Sequence, residues 1–92
     1  MAKVRFELGQ TVATPGALEA FMRSGDTPLP YLARHARGEW GDVDEDDKTE
    51  NDFSVENGFR ILSAYRLADD TRIWIITEAD RSATTILLPE EY

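Results

Sequence analysis

A single histidine, His35, stands between Arg34 and Arg37 in the string LARHARG. An imidazole titrates near neutrality, and two neighbouring guanidiniums favour an anionic substrate, so this is where the chain offers a general base. Helpers for such chemistry would come from further along, with Arg60 or Arg81 neutralising a phosphate and Thr84 or Thr85 supplying a hydroxyl. That set describes a small metal-independent ribonuclease working on an antiparallel sheet. The plainer reading makes His35 a packing or hydrogen-bonding residue on a short helix, and nothing in the spacing demands more. Arg81-Ser82 offers a place for an anion, or simply a turn.

Other chemistries lack their residues. Asp42, Asp44 and Asp46 fall on the alternating ligand positions of a calcium loop, but Asp47 replaces the turn glycine and Phe53 the closing bidentate acid. No metal is expected. With no cysteine, there is no thiolate nucleophile, disulfide framework or Cys-based zinc site, which suits a reducing compartment. Phosphate loops, dinucleotide glycine patterns and nucleophile elbows are absent, so no cofactor is expected.

Charge is the strongest signal. Between Glu39 and Glu56 stand nine carboxylates (Glu39, Asp42, Asp44, Glu45, Asp46, Asp47, Glu50, Asp52, Glu56) and one base, Lys48. The rest of the chain is balanced, so this stretch carries the whole formal charge of −8. Such a patch repels nucleic acid and anionic membrane surfaces and attracts basic protein surfaces. A helix of about 18 residues spans about 27 Å, along which duplex DNA presents about 16 charges, so these acids imitate one strand's worth at most. Acids at a helix N-terminus also complement its dipole, but that does not explain Asp52 and Glu56 near the other end. Asp44, Glu45, Asp52 and Glu56 fall on one arc and are the candidate partner-binding residues; the competing reading is a solvated face that confers solubility.

The elements that must position these groups are legible in outline. With 92 residues, 41% of them apolar, the chain is expected to form one domain with one core. KVRFEL (3–8) alternates as a short strand. Thr14-Pro15-Gly16 opens a helix over 15–24, Pro28 and Pro30 mark a turn before a second over 30–37, and Asp42 with Glu45 caps a third over 43–57, ended by Asn57-Gly58. Phe53 would anchor that acidic helix. Trp40, between Gly38 and Gly41, reads as a core plug joining helices rather than as an exposed anchor.

From Phe59 the apolar period becomes two, predicting strands at 59–67, 72–79 and 83–89 in an antiparallel meander. With Asp69-Asp70 at the first tip, Tyr65 faces Trp74 and Ser63 faces Ile76; the second hairpin places Ile76 opposite Leu87 and Ile75 opposite Leu88. The fold class is therefore α+β, with helices on one face of the sheet. Both faces come out apolar, so the second needs Val4, Phe6 and Leu8, or a second copy of the chain, as cover. No stretch approaches the length of a membrane span, and the expected location is cytoplasmic.

The strings PYLARHARGEWGDVDEDDKTEN and GFRILSAYRLADDTRIWIITEADRSATTILLPEEY resemble a family of small proteins of about this length carried on plasmids and integrative elements of bacteria. Its members are described as plasmid-related, and sometimes as a type I restriction subunit M. The second label conflicts with the residues, which include neither a glycine-rich cofactor loop nor an Asn/Asp-Pro-Pro-aromatic motif. The resemblance implies a mobile-element setting and supplies no active site. Together these readings lead to the expectation of a non-enzymatic acidic module that occupies a basic, nucleic-acid-binding surface of a host protein, as anti-restriction and other anti-defence proteins do. The ribonuclease built on His35 is the alternative.

Overall fold

The computed structural model describes residues 3–92. In chain order the elements are β1 (Gln10–Ala13), α1 (Pro15–Ser24), α2 (Pro28–Ala36), α3 (Glu45–Asn57), β2 (Ile61–Arg66), β3 (Arg72–Thr77) and β4 (Ala83–Leu87), followed by a 3-10 turn at Pro89–Glu91. The class is α+β, as the periodicities predict. The sheet has four strands in the order β1-β4-β3-β2, and β1 runs parallel to β4 while the other pairs are antiparallel.

The expected strand at 3–8 does not form. The backbone there is engaged elsewhere: the Arg5 amide donates to the Ala36 carbonyl at the end of α2 (2.8 Å), and the Leu8 carbonyl accepts from the Thr84 hydroxyl (2.7 Å). Residues 3–9 are an irregular arm laid across the end of α2, and the strand begins only at Gln10. The second helix starts at Pro28, which suits the first helical position. In α3 the cap is Asp44, whose side chain accepts from the Asp47 amide at 2.8 Å, so the expected pairing of Asp42 with Glu45 is replaced two residues later.

Both hairpin registers differ from expectation. The first turn has three residues between Leu67 and Thr71, with Asp70 in the left-handed region at φ +73° and its amide bonded to the Leu67 carbonyl. One extra residue shifts the pairing, so Tyr65 faces Ile73, Ser63 faces Ile75 and Trp74 faces Ala64. In the second hairpin Arg81 takes the left-handed position (φ +61°), and Ile75 pairs with Ile86 and Trp74 with Leu87.

The inner face therefore carries Ile61, Ser63, Tyr65, Ile73, Ile75, Thr77, Thr84 and Ile86, all buried. Ala17, Ala20 and Phe21 of α1, with Tyr31 and Leu32 of α2, pack against its apolar part. On the opposite face Ile76 and Leu87 are buried as well, and Trp74 meets the Tyr92 ring edge-on at 5.6 Å. Tyr92 supplies part of that cover, whereas Phe6, expected on this face, packs against His35 and Trp40, and Val4 is exposed.

The open edge of β2 is closed by side chain and backbone together. Asn51 of α3 donates to the Leu62 carbonyl (2.8 Å) and accepts from the Leu62 amide (3.2 Å), as a neighbouring strand would. Two residues on, the Ala64 amide donates to the Trp40 carbonyl (3.1 Å) and its carbonyl accepts from the Asp42 amide (2.7 Å). Such capping removes a template for unwanted strand pairing.

Gly41 makes that approach possible, since a Cβ on it would lie 2.0 Å from the Ala64 carbonyl oxygen at a φ of +77°. Gly25 has nearly the same φ (+76°) but nothing within 4 Å of a built Cβ. Gly25→Ala should lower stability by about 1–2 kcal/mol, the conformational penalty alone, and Gly41→Ala by a further 1–3 kcal/mol or so. Urea denaturation of both variants measures the difference, and equal losses would contradict the close contact at residues 40–42.

Candidate functional site

His35 is fully buried, and its ring is enclosed by aromatic neighbours: Phe6 lies 5.2 Å away edge-on and Trp40 5.9 Å away. Nδ1 is 2.5 Å from Ser63 Oγ and Nε2 is 2.8 Å from Thr77 Oγ1; Thr77 Oγ1 is in turn 2.7 Å from Thr84 Oγ1, which donates to the Leu8 carbonyl. One hydroxyl carries one proton, so the direction of the chain is determined. Thr84 spends its proton on Leu8 and must accept from Thr77. Thr77 must then accept from His35. The imidazole is consequently the Nε2–H tautomer, and its bare Nδ1 accepts from Ser63.

Burial pushes the His35 pKa from 6.5 down to about 3. A group of this kind has its lone pair engaged and no contact with solvent, so as placed it does not meet a substrate. The expectation that grouped Thr84 with His35 has a structural counterpart, since the two join one chain through Thr77, but that chain is a sealed hydrogen-bond network. Thr85 lies on the opposite face of the sheet.

The two candidate arginines are engaged apart from His35. Arg81 donates through Nη1 to the Phe59, Glu78 and Ala79 carbonyls (2.7, 3.1 and 3.2 Å) and through Nη2 to the Ser54 carbonyl (2.8 Å). It thus holds the C-terminal end of α3 with a cation, which the dipole favours and which α3 lacks in its own last turn. Arg60 is exposed and reaches the Tyr92 hydroxyl (3.1 Å) and Glu78 (3.3 Å). Trp40 is buried, as expected, and its indole donates to Asp52 at 3.1 Å.

The acidic helix is held by polar groups. Asn51 and Ser54 are its buried residues, whereas Phe53, the expected anchor, is 57% exposed. Of the four expected partner-facing acids, Glu45 points to solvent beside Lys48 (3.3 Å) and Glu56 is exposed without an ion pair among the described residues. Asp44 is committed to its cap. Asp52 turns toward the domain, where the Arg5 guanidinium (2.9 Å) and then the Trp40 indole hold its carboxyl below the usual range. Elsewhere in the acidic stretch, Glu39 pairs with Arg37 (2.7 Å), which lowers its pKa, and Asp42 pairs with Arg66 (3.1 Å). Asp46, Asp47 and Glu50 join Glu56 as exposed acids with no ion pair among the described residues. Two grooves border this face: one of about 200 Å3 lined by Asp47, Glu50, Asn51, Arg60 and Leu62, and one of about 400 Å3 lined by Glu50, Phe53, Ser54, Phe59 and Arg60.

Among the described residues no group of three or more His, Asp or Glu side chains is placed to hold a metal ion, and no helix is long and apolar enough to cross a membrane. The partners of His35 went unrecognised as a set because a register slip assigned Ser63 and Thr77 no common face; hydroxyls at inward positions of otherwise apolar strands are the signal that points to them. No family model, curated protein or solved structure matches the chain.

The buried imidazole has a pH signature. Between pH about 6.5 and 3 the unfolded chain binds a proton that the folded chain does not, so this contribution is full above 6.5 and is lost as pH falls through that window. The slope is at most about 1.4 kcal/mol per pH unit. Because His35 is the only histidine, urea denaturation from pH 7 to pH 5 should show stability falling in the native chain. In His35→Leu the fall over that range should be much shallower, with only the carboxylates left to contribute, and stability at pH 7 lower by about 2–4 kcal/mol, as Ser63 and Thr77 lose their partner. A flat native curve would contradict a buried neutral imidazole.

Proposed function

We propose that the chain is a non-enzymatic acidic protein-binding module that occupies a basic surface of a partner protein. The observation that carries this reading is the division of the acidic stretch. Glu39, Asp42 and Asp52 are paired with arginines of the domain, and Asp44 caps its helix. Along α3, Asp46, Glu50 and Glu56 nevertheless stay in solvent without ion pairs among the described residues, as does Asp47 at the groove beside Asn51. Like charges at neighbouring helical positions destabilise a helix by a few tenths of a kcal/mol per pair, so helix stability does not account for Glu50 and Glu56. A partner surface rich in Lys and Arg would relieve that repulsion and be steered toward it.

The resemblance to plasmid-borne proteins supplies the wider setting of this proposal, in which the partner is a host protein and the occupied surface one that binds nucleic acid. Occupancy would then be an anti-restriction or other anti-defence act in the cytoplasm. Rigid presentation supports the reading too: Asn51 and Arg81 fix α3 from beneath while its outer face stays clear.

A matched pair of triple variants tests the proposal. Asp46→Asn with Glu50→Gln and Glu56→Gln removes three charges from α3; Glu7→Gln with Glu19→Gln and Glu90→Gln removes three from elsewhere. Binding to a lysine-rich probe peptide, measured over a range of salt, should weaken at least about tenfold in the first variant with a flatter salt dependence, and little in the second. Equal weakening in both would mean that only net charge matters and would overturn the reading.

A further inference from the structure

Phe53 and Phe59 form a parallel pair, ring centroids 5.9 Å apart and planes within 11°, yet they are 57% and 54% exposed. The pair lines the groove of about 400 Å3 that also touches Glu50, Ser54 and Arg60. Neither ring is needed to dock α3, which Asn51, Ser54 and Arg81 hold by hydrogen bonds. Two large aromatic side chains side by side in water are the composition of an interface anchor rather than of a solvated face.

Their surroundings specify the occupant. Glu50 and Glu56 lie three residues before and after Phe53, so both neighbour it on the helix surface. Arg60, which also lines the groove, has its charge offset by Glu78. The groove is thus an apolar slot with the Glu50 carboxylate in its lining and Glu56 one helical turn beyond Phe53, while its cation is paired with Glu78. A second copy of this chain is a poor occupant, because face-to-face contact would oppose Glu50 and Glu56 to the same residues of the other copy.

We propose that the Phe53–Phe59 slot is the anchoring subsite of the acidic surface and takes one aliphatic side chain projecting from a Lys/Arg-bearing segment of a partner protein. This rests on the function proposed above and adds a division of labour. The carboxylates set the encounter rate and its salt dependence, and the phenyl pair sets the residence time.

The test uses two lysine-rich peptides identical except for a central Leu or Ser, with association and dissociation rates measured against the native chain. The Leu peptide should bind about tenfold tighter than the Ser peptide, the difference residing in the dissociation rate. Phe53→Ala with Phe59→Ala should abolish that advantage while preserving the association rate; Phe53→Ser alone, a smaller perturbation, should reduce it. Glu50→Gln with Glu56→Gln should slow association of both peptides and leave the Leu advantage intact. Equal binding of the two peptides, or a Leu advantage that survives loss of both rings, overturns the anchor while a salt-dependent association still upholds the acidic surface. Failure of both peptides to bind overturns the two proposals together. Self-association that disappears in the double phenylalanine variant would assign the slot to a second copy and also overturn the anchor.

Discussion

The rest of the structure depends on a buried imidazole that must find a partner on each side. His35 comes from α2, Ser63 from β2, Thr77 from β3 and Thr84 from β4, and the chain ends on a carbonyl of the N-terminal arm. Losing any link leaves a buried polar atom unsatisfied at about 1–3 kcal/mol, and in this structure no buried side-chain polar atom among the described residues lacks a partner. The network also selects the strand register. A slip of one residue in the first hairpin would turn Ser63 or Thr77 to the other face and orphan the imidazole, and one in the second would turn Thr84 away from Thr77, so the polar chain specifies a pairing that the apolar residues alone leave ambiguous.

The same economy governs α3. Its sequence has too few apolar residues to hold it on the domain by burial, and Phe53 does not serve that purpose. Directional contacts replace burial: the Asn51 amide completes the edge of β2, Arg81 from the second hairpin binds the last turn, and Arg5 and Trp40 converge on Asp52. Because attachment uses the inner side of the helix, the outer side retains exposed carboxylates without ion pairs among the described residues, together with Phe53, which stacks on Phe59 just past the helix end. Surface ion pairs such as Glu45 with Lys48 add little to stability, so the charge on that side is free to act at longer range.

What the sequence made legible follows from local chemistry. The Thr14 cap placed the first helix and Asn57-Gly58 the end of α3, the second helix was found but begins at Pro28 where a turn was expected, and alternation after Phe59 placed three strands, because each signal is read within a few residues. Register was not legible, since it depends on whether Asp70 and Arg81 adopt left-handed backbone, a choice that neither residue type dictates. The arm at 3–8 alternates like a strand, but its backbone partners, Ala36 and Thr84, are distant in sequence. For the candidate site, helical arithmetic placed Glu45 and Glu56 outward correctly and misplaced Asp52 and Phe53. It assumed that the apolar residue faces the domain, whereas here a polar residue, Asn51, does so.

The one histidine is a neutral structural hub, buried and hydrogen-bonded at both ring nitrogens. Long-range proton–nitrogen NMR of the His35 ring from pH 7 down to pH 5 tests it most directly. A buried neutral ring gives a single Nε2–H tautomer with a slowly exchanging ring proton and nitrogen shifts that do not move across that range. A ring that titrates with a midpoint near 6.5, or that exchanges its proton as fast as a solvated imidazole, would contradict it.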